Sequence, residues 1–389
     1  MVRVSRPDTG DLGHLRQALA EHFDGSPLAA IGQEINAQLD ILEKLSGWTG
    51  LAPQSQREFI RQCHSLLHVI PAATQISGRF WFDINMIRAI STEWTCPEPL
   101  LPGSILPRAA SEWQYAGIHI PNFTPARMPR IDMIDFPRSN AAEGIDLLAY
   151  PWLYHELGHL LLALRGAAFV AAVAELLDKI VQQSAKQRLG KAPAVQRRSQ
   201  DLQEKVERAW RPSPIHSDWS HEIAADIVAL WSCGPAFLAA YDDSPEDKNP
   251  YFIDKVHPPY ETRSIAIIEA AKRLGWGSHV DSLTERIDEW AETDNDERND
   301  VFLALGNQEL VYGVLTAALD VCNALNLPRC DCATLSDLRT SLASNQSPPF
   351  GRSLILASWL IYEQHDGDSA LYHEWEAKLV NTLVQEVTP

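Results

Sequence analysis

Between Leu147 and Leu164 the chain is mostly apolar, yet it sets His155-Glu156-Leu157-Gly158-His159 in the middle of that run. No other stretch constrains the fold as much. The density of apolar residues predicts a helix buried on most of its circumference. Histidines four apart on a helix project from one face, one turn above the other. Two imidazole nitrogens on that face can bind one Zn²⁺, and the Glu between them can reach a water on the metal. Residues 140–166 are predicted to hold this helix, with Pro151 at its start or at a kink. Gly158 has no side chain and predicts the close approach of a neighbouring element. Tyr154 reads as a packing residue.

A catalytic zinc needs three protein ligands and an open position. The third ligand must come from elsewhere, and Glu222 in Trp219-Ser220-His221-Glu222-Ile223-Ala224-Ala225-Asp226 is the candidate. Residues 217–233 are predicted as a helix, with Ser217 or Asp218 as N-cap. Glu222 and Asp226 share a face of it. Glu222 is placed on the metal, and Asp226 is expected to accept a hydrogen bond from His155 and fix its tautomer. Standing alone, such an acidic pair is an ordinary solvated helix face. His221 is the rival third ligand, but it points about 100° away around the helix, so only one of the two can face the metal.

His155-Glu156-x-x-His159, then Glu222-x-x-Ala225-Asp226, then His257-Pro258-Pro259 followed by Arg263, resembles the gluzincin metallopeptidases. The nearest pattern is the HtpX-like and CAAX-prenyl-endopeptidase family, over residues 150–265 only. The resemblance implies Zn²⁺ held by His155, His159 and Glu222, with Glu156 as catalytic base. In that scheme Glu156 takes a proton from the zinc-activated water as it attacks a peptide carbonyl, then hands it to the leaving amine. The tetrahedral oxyanion needs a further electrophile, for which His257, Tyr260 and Arg263 are candidates. A structural role for each is equally open, with Pro258-Pro259 setting the start of a helix and Arg263 pairing with an acid. The membrane members of the family have spans that this chain lacks on reading, so their lipid-linked substrates do not carry over.

The remaining chain supplies the expected frame. The fold class expected is mainly α with a small β-sheet (α+β), a zincin-like core on the HExxH helix with helical flanks. The expected division is a helical region over 1–107, the metallopeptidase core over 108–275 and a second helical region over 276–389. Helices are predicted at 11–23, 30–45 and 54–70, the last carrying His64 and His68 without a catalytic Glu. The aromatic run 79–84 reads as strand-like, and prolines between Cys96 and Pro107 mark a joint. Strands are predicted at 114–120 and 130–136, the latter either an ordinary core strand or one with a free edge suited to an extended substrate. Beyond the motif helix, apolar spacing predicts helices at 167–187, 196–210, 260–274, 279–293, 307–325, 334–343, 351–362 and 370–387. Residues 189–214 form a basic, polar insert that could cover the cleft or be a plain solvated excursion.

Bulk charge narrows the partners. With 51 acidic against 33 basic residues the formal net charge is −18, which argues against nucleic acid or an anionic membrane surface as the main partner. The six cysteines are scattered, and Cys330-Asp331-Cys332 has no matching pair for a zinc knuckle. No apolar signal core opens the chain. A cytoplasmic zinc metallopeptidase acting on a protein or peptide is therefore expected, with a regulatory partner or homo-oligomer accommodated by the helical flanks. The alternative is a catalytically inactive zincin-like interaction protein that retains a structural zinc.

Overall fold

The computed structural model describes residues 77–95, 98–101, 105–109, 116–119 and 132–136, and most of 145–387 apart from short stretches at 189–190, 213–217, 244–249, 254–256, 293–299, 345 and 366–367. A few isolated residues before 77 are also described. Of the helices expected at 11–23 and 30–45 only isolated residues are described, and these are helical, while the helix expected at 54–70, with His64 and His68, lies outside the described residues.

The fold is mainly α, which corrects the α+β expectation. Two compact units are distinguished: Met1–Ser91, Pro102–Ile145 and His373–Pro389 form one, and Thr92–Leu101 with Asp146–Tyr372 form the other. The second unit carries the HExxH motif, and among its described residues every named element is a helix. Strands are confined to the first unit. They are three pieces of four or five residues, β1 Ile105–Ala109, β2 Ala116–His119 and β3 Asp132–Phe136. They are too short to make a sheet layer of the fold. β3 lies in the middle, parallel to β1 and antiparallel to β2. Both its edges are paired, so the substrate-pairing edge expected at 130–136 is not there.

The aromatic run at 79–84 is also corrected. It opens the helix Ser77–Glu93. Phe82, Asp83, Ile84, Met86, Ile87 and Ile90 in that helix are all buried, so burial runs around much of its circumference and not along a single stripe. Aromatic content suggested a strand, but a run buried on most sides cannot be told from a helix by periodicity, and its seventeen-residue length decides for the helix.

In the motif unit the helix Pro151–Arg165 begins with proline in its first turn, where the missing N–H costs nothing. It ends at Gly166, and the chain bends by 86° into the helix Ala167–Gln187 (to Arg188 by hydrogen bonding). A Cβ at Gly166 would collide with the Leu162 carbonyl, so glycine is what permits the bend. The helices Trp219–Cys233 and Tyr260–Leu274 follow, and Gln308–Ala324 and Arg352–Gln364 complete the surround. All fifteen residues of Trp219–Cys233 are buried, so this helix is the unit's axis. Trp210 and Trp231 donate their indole N–H groups to the Leu305 and Leu327 carbonyls and are satisfied in the core.

The stretch Val301–Ala324 is long and apolar enough to cross a membrane, and the bent pair Leu147–Arg165 and Ala167–Gln187 meets the same criterion together. Length and composition alone do not separate such helices from the core helices of a compact protein.

Candidate metal centre

The centre is built where two helices cross at small residues. A Cβ on Gly158 would lie 3.2 Å from the Ala225 Cα and 3.2 Å from the Val228 Cβ. Glycine on one helix therefore faces alanine on the other at a backbone-to-backbone approach. The polar residues bracket this contact on both sides. His155 and His159 flank Gly158, and Glu222 and Asp226 flank Ala225. Packing glycine on alanine thus brings the two polar pairs face to face.

The donor atoms converge. His155 Nε2 and His159 Nε2 are 3.1 Å apart. Glu222 completes the triangle, with Oε2 3.6 Å from His155 Nε2 and Oε1 3.4 Å from His159 Nε2. Zinc bonds of about 2.0–2.1 Å at tetrahedral angles separate neighbouring donors by roughly 3.3 Å. The observed edges lie around that value, so the three residues fit a zinc-sized ion. Among the described residues this is the only cluster of three such donors with ligand-type spacing.

A buried latch holds His155. Its Nδ1 lies 2.8 Å from Asp226 Oδ1, which leaves Nε2 turned to the donor group. Asp226 is in turn gripped by Arg263, whose Nε donates to Oδ2 at 2.9 Å and Nη2 to Oδ1 at 2.8 Å. The guanidinium sits against the Trp152 and Tyr241 rings, with centroids at 5.8 and 5.6 Å. Trp152 also meets His155 edge-on, at 5.5 Å. His155, Asp226 and Arg263 are 4%, 0% and 2% exposed, so this latch has almost no water. A planar two-pronged cation on a buried carboxylate is the arrangement in which such a charge is tolerated.

The two histidines differ electrostatically. Burial disfavours an imidazolium at His155, but the carboxylates of Asp226, Glu222 and Glu156 outweigh it and raise its pKa to about 10. His159 is pushed down to about 4 by burial and by repulsion from His155, with Glu222 offsetting only part. Burial also resists ionisation of Glu222, but His159, His155 and Arg263 hold it far below the usual carboxylate range. Asp226 is likewise held down against burial, by Arg263 and then His155. The two imidazoles are thus pulled in opposite directions, His155 toward its protonated form and His159 toward its neutral form.

The remaining residues expected at the site fall into two groups. His257 comes to the donor group. It is on the rim, with its side chain 53% exposed and Nε2 4.0 Å from Glu222 Oε2. Glu156 is 8% exposed and neighbours His155 on the motif helix. Tyr260 and Arg263 do not present a free group to the donors. The Tyr260 hydroxyl donates to the Tyr241 carbonyl at 2.7 Å, and its ring stacks on Tyr241 at 4.8 Å. Arg263 is committed to Asp226. His221, the rival ligand, lies outside the triangle. Its Nδ1 is 2.9 Å from Asp218 Oδ2, its backbone N–H reaches Oδ1, and its ring meets Phe169 edge-on. Asp218 is thus the N-cap that starts the Glu222 helix, and His221 braces that cap.

Two supports carried no sequence signal. Trp152 and Tyr241, the rings around Arg263, stand 111 and 22 residues from it in the chain, and no spacing rule connects them. Glu93 accepts from the Tyr154 hydroxyl at 3.3 Å and from the Arg352 backbone N–H at 3.1 Å, tying the back of the motif helix to two distant segments. No protein-family model, curated protein or solved structure matches the chain, so the site stands on its own geometry.

Proposed function

We propose that the protein is a zinc-dependent metallopeptidase of gluzincin type, with His155, His159 and Glu222 as ligands and Glu156 as general base. One observation carries the reading. The three donor atoms are spaced as a tetrahedral zinc requires, while the non-ligating nitrogen of His155 is backed by a buried carboxylate. A zinc ion bound there supplies Lewis acidity and lowers the pKa of water toward neutrality.

The chain's own residues do the remaining work. On metal binding His155 would give up its Nε2 proton, and Asp226, steadied by Arg263, holds the remaining proton at Nδ1 so that Nε2 is the nitrogen that faces the metal. Glu222 contributes negative charge at no cost in protonation, because its neighbours hold it ionised. Glu156, beside His155 in the helix, takes a proton from the attacking water and returns it to the leaving amine of a protein or peptide substrate. His257, exposed on the rim near Glu222, is the residue of the three oxyanion candidates that can meet a substrate carbonyl. Tyr260 and Arg263 have structural roles.

The test is a comparison of wild type with Glu156→Gln. The expected result is that both bind zinc and only wild type cleaves protein substrates in a proteome-derived peptide digest. Zinc binding without cleavage by either would assign the site to a structural zinc in an inactive zincin-like protein. Cleavage unchanged in Glu156→Gln would contradict the mechanism.

A further inference from the structure

The helices Ala167–Arg188 and Pro193–Trp210 form a hairpin whose distal half leaves the body. The last buried side chain on the outgoing helix is Ile180, and the first on the returning helix is Val206. Roughly 12 Å of one helix and 20 Å of the other therefore extend beyond the packed base. The charge of this extension is opposite to that of the chain. Residues 179–200 contain six basic residues and no Asp or Glu, in a protein with net charge −18. At the base the cations are paired: Lys179 with Glu309 at 3.2 Å, and Arg211 with Asp178 at 3.0 Å. Toward the tip Lys186, Lys191 and Arg197 are exposed.

Two further observations bear on what meets the tip. The returning helix has no acidic residue in its first turn, so its positive end is left uncompensated and arginines follow where carboxylates are favoured. Beside them Ala192, Pro193, Ala194 and Val195 make a small apolar apex, with Val195 49% exposed. Cations around an exposed apolar apex suit a lipid headgroup layer, where the charges meet phosphates and the apex meets acyl carbon. A nucleic-acid surface fits less well, since residues 179–200 contain no aromatic side chain to stack on a base. The acidic body does not forbid this contact. Its field is screened within about 8–10 Å at physiological salt, less than the reach of the hairpin.

We infer that the exposed residues Lys186 and Lys191 to Arg198 of this hairpin form a docking site for an anionic lipid bilayer surface. The inference is independent of the metal centre. The full-length protein is tested by co-sedimentation with vesicles of phosphatidylcholine alone and of phosphatidylcholine mixed with phosphatidylglycerol. Wild type is expected to sediment with the anionic vesicles only, and less so as salt is raised. The Lys186→Glu/Lys191→Glu/Arg197→Glu variant is expected to lose about tenfold or more in partitioning. Lys272→Glu, a charge reversal on the helix Tyr260–Leu274, should leave binding unchanged, and circular dichroism of both variants should match wild type. No sedimentation of wild type with anionic vesicles overturns the proposal, as does binding that the triple reversal does not weaken. Tip-dependent binding to an oligonucleotide or an acidic polypeptide, without vesicle binding, also overturns it and reassigns the surface.

Discussion

The candidate metal centre has a closed end and an open end, and they are built from different physics. At the closed end His155, Asp226 and Arg263 form a nearly dry chain of charges, with Trp152 and Tyr241 packed around the guanidinium. At the open end His159 has 18% of its side chain exposed and His257 has 53%. The closed end fixes orientation: each charged group there is held by another, and removing one leaves its partner stranded in a low dielectric. The open end is exposed to solvent, and changes to its residues are expected to have little effect on the fold. The contrast separates holding a metal from using it.

The sharpest way to break the contrast is Arg263→Met. It strands the buried Asp226 carboxylate and is expected to destabilise the protein by about 3–5 kcal/mol in denaturant titration. Adding Asp226→Asn to that variant should recover much of the loss, because the uncompensated charge is gone. Full stability in Arg263→Met would show that the latch is not a structural unit. Asp226→Asn alone keeps the shape but weakens the hold on His155. Zinc affinity by competition with a chromogenic chelator is predicted to fall about 10–100-fold.

Next in size is the crossing itself. Gly158→Val forces branched carbon against the Ala225 backbone 3.2 Å away, and should cost about 1–3 kcal/mol and weaken zinc binding by parting the two helices. A variant that binds zinc as well as wild type would mean that the crossing does not position the ligands. The smallest effect on stability belongs to the open end. His257→Ala should change unfolding free energy by no more than about 0.5 kcal/mol. It should leave zinc bound while cleavage falls about a hundredfold. An equal loss of metal would move His257 from the substrate side to the metal side.

Much of this centre was legible in the chain because its parts are local. Two i, i+4 pairs on two apolar helices announce which side chains share a face, and Gly158 announces a close approach. What the pattern could not supply is the pairing of distant faces. Arg263 follows a His-Pro-Pro turn and could equally have faced a substrate. Only the packing of the helix Tyr260–Leu274 on Trp219–Cys233 commits it to Asp226. The two roles open to Tyr260 could not be separated for the same reason, since its partner Tyr241 lies in another helix. The strands expected at 114–120 and 130–136 are present, as Ala116–His119 and Asp132–Phe136, but what they were taken to imply does not hold. Residues 132–136 do form a strand, but a short run cannot report that both its edges are paired or that the sheet is too small to set the fold class. At 79–84, aromatic content in a six-residue window could not report that the run opens a helix of seventeen residues.

The central claim is that His155, His159 and Glu222 together hold a divalent metal ion. Metal analysis of the purified protein, with His159→Ala beside wild type, tests it most directly. The account predicts about one zinc per wild-type chain after dialysis against trace zinc, and little or none in the variant, with helicity preserved in both. Wild type that never retains zinc, or a His159→Ala variant that retains as much, would contradict it.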